Sequence, residues 1–147
     1  MLRLGIASAF LIASTIIVHV GAISLIMARV RRQAPPTAAK SIAWLLIRLA
    51  WMLIACHLTE IGIWGLFYLW SGCFASIEPA FYFSGVTYTT VGYGDLVLPA
   101  RWRILGPVEA LAGILMCGLS ASIFFAINQK IYTLSANSKQ APTAWEN

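Results

Sequence analysis

The chain has 147 residues, of which 60% are hydrophobic and 10% charged, with a formal net charge of +5. Soluble globular domains carry roughly 25% charge and about 45–50% apolar residues, so this composition excludes a soluble fold and indicates an integral membrane protein. The basic excess forms no nucleic-acid-type patch, and no grouping of nucleophile, base and orienting residue suggests an enzyme.

The first apolar run, Leu4 to Met27, is long enough for a spanning helix, which needs about 20 residues. It is also longer than the roughly 7–15 apolar residues of a signal peptide, so it is expected to be retained. Residues 1–28 are thus assigned to an N-terminal transmembrane helix and 29–41 to a basic loop, with Pro35-Pro36 as its helix breaker. A second run gives a helix over 42–70, with Arg48 snorkelling near its basic end and Trp64, Tyr68 and Trp70 as an interfacial aromatic belt at the other. A turn follows. Pro79 and Glu78 then mark the start of a short helix over 78–89, where a missing N–H costs nothing and an acid suits the positive helix end. At about a dozen residues it is too short to span and fits a re-entrant segment. Residues 103–128 form the last spanning helix, and 129–147 a polar tail.

Arg29, Arg31, Arg32 and Lys40 place the first loop in the cytoplasm by the positive-inside rule. The N-terminus and the 71–102 segment are then outside, and the tail with Lys130 and Lys139 is inside. The fold class is an all-α membrane protein with three spanning helices and a re-entrant segment between the second and third. Cys56 and Cys117 lie in apolar runs and read as small hydrophobes, with no Cys/His spacing typical of zinc. Cys73, in a loop, is a free thiol or the half of a disulfide with another subunit.

Between the short and last helices stands "TTVGYGD", residues 89–95. Irregular backbone at membrane depth is tolerated only where it is buried in protein or lines a cavity. Gly92 and Gly94 accept positive φ without steric penalty. Alternating the sign of φ along 90–94 would turn successive carbonyls to one side. Four such loops around an axis would stack rings of oxygen able to replace the water shell of a monovalent cation.

The stretches "AFYFSGVTYTTVGYGD" and "RILGPVEALAGILM" resemble the pore loop and pore-lining helix of potassium channels, a resemblance that covers about residues 42–128. It implies a homotetramer in the lipid bilayer, with K⁺ as the permeant ion and no cofactor. Thr90, Val91, Gly92 and Tyr93 would hold K⁺, and Gly94 would complete the turn. Asp95 would stand at the outer mouth and concentrate cations. Tyr82, Val86 and Thr89 would support the filter. Val86 occupies the place of a glutamate found in some bacterial members, leaving Tyr82 to hydrogen-bond Asp95. Gly113 stands where many members have a hinge glycine, with tight helix packing as the competing reading. Ile114, Cys117 and Ala121 are expected to share its face and line the cavity, with Phe125 or Phe124 forming a constriction further in.

Four polar residues remain inside apolar runs. His19 and His57 fall at similar depth and Glu60, three residues from His57, shares its helix face, so the three are expected to form an interhelical cluster; Glu109 is expected behind the filter or bonded to a neighbouring helix. The cluster has a structural, a pH-linked and a metal-binding reading. No helix carries arginine at every third position, so no voltage sensor is expected. The functional expectation is a passive K⁺-selective channel of a bacterial inner membrane. The alternative is a non-conducting or regulatory subunit of a potassium channel or uptake system, and an unidentified regulatory subunit is a further candidate partner.

Overall fold

The computed structural model describes residues 2–32 and 39–140. Every regular element among them is helical: α1 (Leu2–Arg32), α2 (Ala39–Trp70), α3 (Ile77–Tyr88) and α4 (Leu105–Gln140). Three of these contain membrane-length apolar spans, Leu2–Val30, Lys40–Trp70 and Leu105–Thr133, of 29 to 31 residues each. At 1.5 Å per residue each is about 45 Å long, enough to cross the hydrocarbon core and both headgroup layers. The 12 residues of α3 reach only about 18 Å.

Residue pairings set the directions. His19 meets Glu60 and Trp64 meets Thr15, so α1 and α2 run antiparallel. Tyr68 meets Glu109 and His57 meets Ser120, so α2 and α4 also run antiparallel. The short α3 packs against both α2 and α4, while α1 packs against α2 and α4 from another side. One apolar cluster, built on Leu11, Trp64, Tyr68, Phe83, Leu98 and Leu105, lies at the α3 end. A second, built on Ile26, Leu49, Leu53, Ile127 and Ile131, lies at the other end. A polar layer separates the two.

Several boundaries differ from the sequence expectation. The helix α1 continues through Arg29 and Arg32, so these basic residues stand on a helix end rather than in a loop. Pro35-Pro36 lies outside the described residues. Ile104 and the residues before it form turns, and α4 starts at Leu105, not at residue 103. It then continues to Gln140 instead of ending at 128, because nothing from Gln129 to Gln140 is proline or glycine to stop it. The tail beyond, 141–147, lies outside the described residues. The aromatic belt also needs correction. Trp64 and Tyr68 are fully buried, and only Trp70 is exposed. Positions 60, 64 and 68 recur every fourth residue and share one inward helix face, from which Trp70 is turned away by two residues, about 200°.

Candidate functional site

The site begins where α3 ends. Pro79 and Glu78 lie in its first turn, and its last residue is Tyr88. Thr89 N–H donates to Gly85 O, Thr90 N–H to Thr87 O, and Gly92 N–H to Val86 O at 3.0 Å. The last of these folds the loop back against the helix end. The chain then returns along α3, because Tyr82 OH donates to Asp95 Oδ2 at 2.8 Å. Tyr82 lies six residues before Tyr88, about 9 Å up the helix. Its phenol is held above the usual tyrosine range by that hydrogen bond. A raised phenol stays protonated through neutral pH, so the bond is lost only as pH rises through the raised value.

Within the loop, φ is +62° at Thr90, +48° at Gly92 and +79° at Gly94, and is not positive at Val91 or Tyr93. The sign alternates along the five residues. Glycine accepts this freely, but Thr90 is β-branched and its positive φ is a strained conformation. Such strain persists only where surrounding contacts impose it, and it concentrates at functional sites. Residues 89–95 are all exposed in the single chain, including 72% of Tyr93 and 51% of Val91. Within this chain neither side chain is packed. The Thr89 hydroxyl, just past the end of α3, donates back to Gly85 O in its last turn.

Gly113 lies on α4 opposite the end of α3. A Cβ placed there would collide with the Tyr88 carbonyl oxygen and stand 3.2 Å from Tyr88 Cγ. The residue is buried, whereas Ile114, Cys117, Ala121 and Phe125 are exposed. Gly113 therefore faces α3, and the four others form a separate free face. Phe124 packs into the second apolar cluster, which leaves Phe125 as the exposed phenylalanine of the pair.

Glu109 does not join the histidines. It accepts from Tyr68 OH at 2.7 Å and from Ser84 Oγ at 2.6 Å, tying α4 to α2 and α3 near the first apolar cluster. A buried carboxyl left short of a donor is destabilising, typically by about 1–3 kcal/mol. Tyr68→Phe should therefore lower the thermal unfolding temperature of the purified protein; an unchanged midpoint would show that this bond is energetically idle.

The polar layer joins all four helices. His19 Nδ1 lies 2.8 Å from Glu60 Oε1, and Tyr88 OH donates to the other carboxylate oxygen. His57 Nδ1 lies 3.0 Å from Tyr88 OH. Ser120 Oγ is 3.0 Å from His57 Nε2 and 3.4 Å from His19 Nε2. Cys56 also belongs to this group, with Sγ 3.4 Å from Glu60 Oε1 and 3.8 Å from His19 Nδ1. Reading Cys56 as a passive hydrophobe missed this. The available signal was its spacing from Glu60, four residues on the same face of α2. Ser120 and Tyr88 carried no comparable signal, since their partners lie 63 and 31 residues away in sequence.

Three membrane-length helices, with a short helix and a glycine-bearing loop between the second and third, define an integral membrane protein of all-helical class. The chain belongs to the ion channel family, whose profile matches residues 54–130. That segment takes in the second half of α2, all of α3, the loop and most of α4. Over 60 residues, 40% of this chain, it is also 38% identical to the potassium voltage-gated channel protein Shal of Drosophila melanogaster. The chain spans about 10% of the length of that relative. No solved structure gives a significant match.

Proposed function

We propose that the chain is one quarter of a potassium-selective channel, with residues 42–128 as its pore domain and α3 as the re-entrant pore helix. The alternation of φ along Thr90–Gly94 at the end of that helix is the observation that carries this reading. Backbone of that kind directs successive carbonyls of Thr90, Val91, Gly92 and Tyr93 to one side. Around a fourfold axis they replace the hydration shell of K⁺. A single exposed loop makes no pore, so four copies are required by geometry. Val91 and Tyr93 then find their packing on neighbouring subunits.

The surrounding elements support the same reading. Each helix C-terminus carries about half a negative charge, so four α3 C-termini aim roughly two at a dehydrated cation. Asp95, held by Tyr82, raises cation concentration at the outer mouth. The exposed Ile114, Cys117, Ala121 and Phe125 line the cavity and its inner constriction. Potassium also appears in the name of the Shal relative. Voltage dependence is a property of that relative and is not carried over to this chain. In this reading the N-terminus is outside, α4 ends in the cytoplasm, and the protein passes K⁺ passively rather than catalysing a reaction. Its home is the inner membrane of a bacterium.

The test is ion flux into liposomes holding the full chain, with crosslinking to count subunits. A tetramer with K⁺ flux about 100-fold above Na⁺ flux, a discrimination of roughly 3 kcal/mol, is expected. Equal fluxes would overturn the selectivity. A stable assembly without flux would favour the regulatory-subunit reading instead.

A further inference from the structure

The ring of polar groups behind the short helix has a property that channel function does not require. Three of its atoms converge: His19 Nδ1, Cys56 Sγ and Glu60 Oε1 all lie within 4.8 Å of one another. They come from two helices and are buried. We propose that this group is a binding site for a divalent transition metal of the zinc type, one ion per chain, clamping α1 to α2.

Geometry is the first ground. Zinc binds imidazole nitrogen and carboxylate oxygen at about 2.0–2.2 Å and thiolate sulfur at about 2.3 Å, in a tetrahedron. Those lengths put N···O at about 3.4 Å and S···N and S···O at about 3.6 Å. The corresponding separations in the chain are 2.8, 3.8 and 3.4 Å. Each pair needs to move by about 0.6 Å or less to accept the ion. His57 Nδ1 is paired with Tyr88 OH and lies outside this convergent set, so a water molecule would complete the tetrahedron.

Charge is the second ground. A neutral imidazole, a thiolate and a carboxylate contribute two negative charges, which cancel the two positive charges of the ion. A net charge at membrane depth is costly, and this set leaves none. Binding expels the proton of the Cys56 thiol, so affinity must fall in acid. The mixture of sulfur, nitrogen and one carboxylate favours zinc-like ions over magnesium or calcium, which take oxygen ligands.

The supporting shell is the third ground. A ligating histidine ordinarily anchors its other ring nitrogen, and a ligating carboxylate is itself hydrogen-bonded. Ser120 Oγ lies 3.4 Å from His19 Nε2, and Tyr88 OH donates to Glu60 Oε2. Both anchors come from helices other than those bearing the ligands. The clamp therefore sits against α3 and α4 as well as joining α1 to α2. It is independent of which ion the pore passes.

The full-length protein, purified in detergent and stripped with chelator, would be titrated with Co²⁺ alone and then with competing Zn²⁺. One ion per chain is expected, with a thiolate-to-cobalt charge-transfer absorption that Zn²⁺ displaces. Cys56→Ser should abolish that absorption and weaken binding at least about 100-fold, and Tyr88→Phe should weaken it about 10-fold. A Cys73→Ser/Cys117→Ser double variant should keep full binding, and Zn²⁺ should shield its remaining Cys56 from alkylation. This last measurement holds even if Cys56→Ser does not fold. The proposal fails if the folded wild type binds no ion saturably. It also fails if the absorption survives in Cys56→Ser, or if the double variant loses binding.

Discussion

Gly92→Ala is expected to bring K⁺ and Na⁺ flux to near equality while leaving the assembly intact. Gly92 sits at φ +48°, where an L-residue costs roughly 1–2 kcal/mol. A Cβ there would meet nothing within 4 Å in the chain, so the cost lies in the backbone and not in packing. In a tetramer the strain is repeated four times around one axis, for a total of about 4–8 kcal/mol. The cheapest relief is rotation of the peptide away from positive φ. That rotation breaks the alternation running from Thr90 to Gly94 and takes one carbonyl ring off the axis. The Gly92 N–H bond to Val86 O would be strained by the same rotation. Wild-type discrimination in this variant, measured by parallel K⁺ and Na⁺ flux in liposomes, would refute the assignment of the loop as the filter. Thr90 already carries positive φ with a β-branched side chain, so the loop has little tolerance for a second strained residue.

Gly113→Ala should be more damaging to the fold than any other small-residue substitution in α4. The added methyl would collide with the Tyr88 carbonyl and stand 2.9 Å from its carbon. Overpacking a well-packed site costs typically about 1–3 kcal/mol, and more where the obstacle is backbone that cannot rotate aside. Here the obstacle is the last turn of α3, fixed on its other side by the Tyr88 hydroxyl bonded to Glu60. The expected result is a large fall in the thermal midpoint of the purified protein, with loss of the proposed tetramer on size-exclusion chromatography. A simple hinge would behave otherwise. Alanine, the best helix former, would stiffen the hinge and reduce open probability while leaving stability unchanged or raised. The two readings of Gly113 thus predict opposite signs for the same measurement. The contact with Tyr88 favours packing.

The buried carboxylates respond to this architecture in different ways. Glu109 bonds Tyr68 and Ser84 near the first apolar cluster and keeps α4 in place against α2 and α3. Glu60 lies ten residues short of the end of α2, about 15 Å along the axis, at the level where α3 terminates. It meets the first helix through His19 and the short helix through Tyr88. Removing one member of a buried charged group typically costs about 3–5 kcal/mol, because its partner is left uncompensated. The first helix is accordingly part of the polar core. It is not only an apolar anchor.

The sequence by itself determined the membrane character, the three spanning runs, the short helix around Pro79 and the glycine-bearing loop after it. Each of these rests on local information: run length against bilayer thickness, proline position, and the backbone freedom of two glycines. The depth match of His19 and His57 was also legible, since it needs only the rise per residue from the ends of the runs. What tertiary structure alone decided was which face each helix presents. It turned Trp64 and Tyr68 inward and set Gly113 against Tyr88. It separated Glu109 from the histidines, and it drew Cys56, Tyr88 and Ser120 into one group. The physical reason is that both faces of a membrane helix are apolar. Facing lipid and facing protein then look alike in sequence, and only the packed partner distinguishes them.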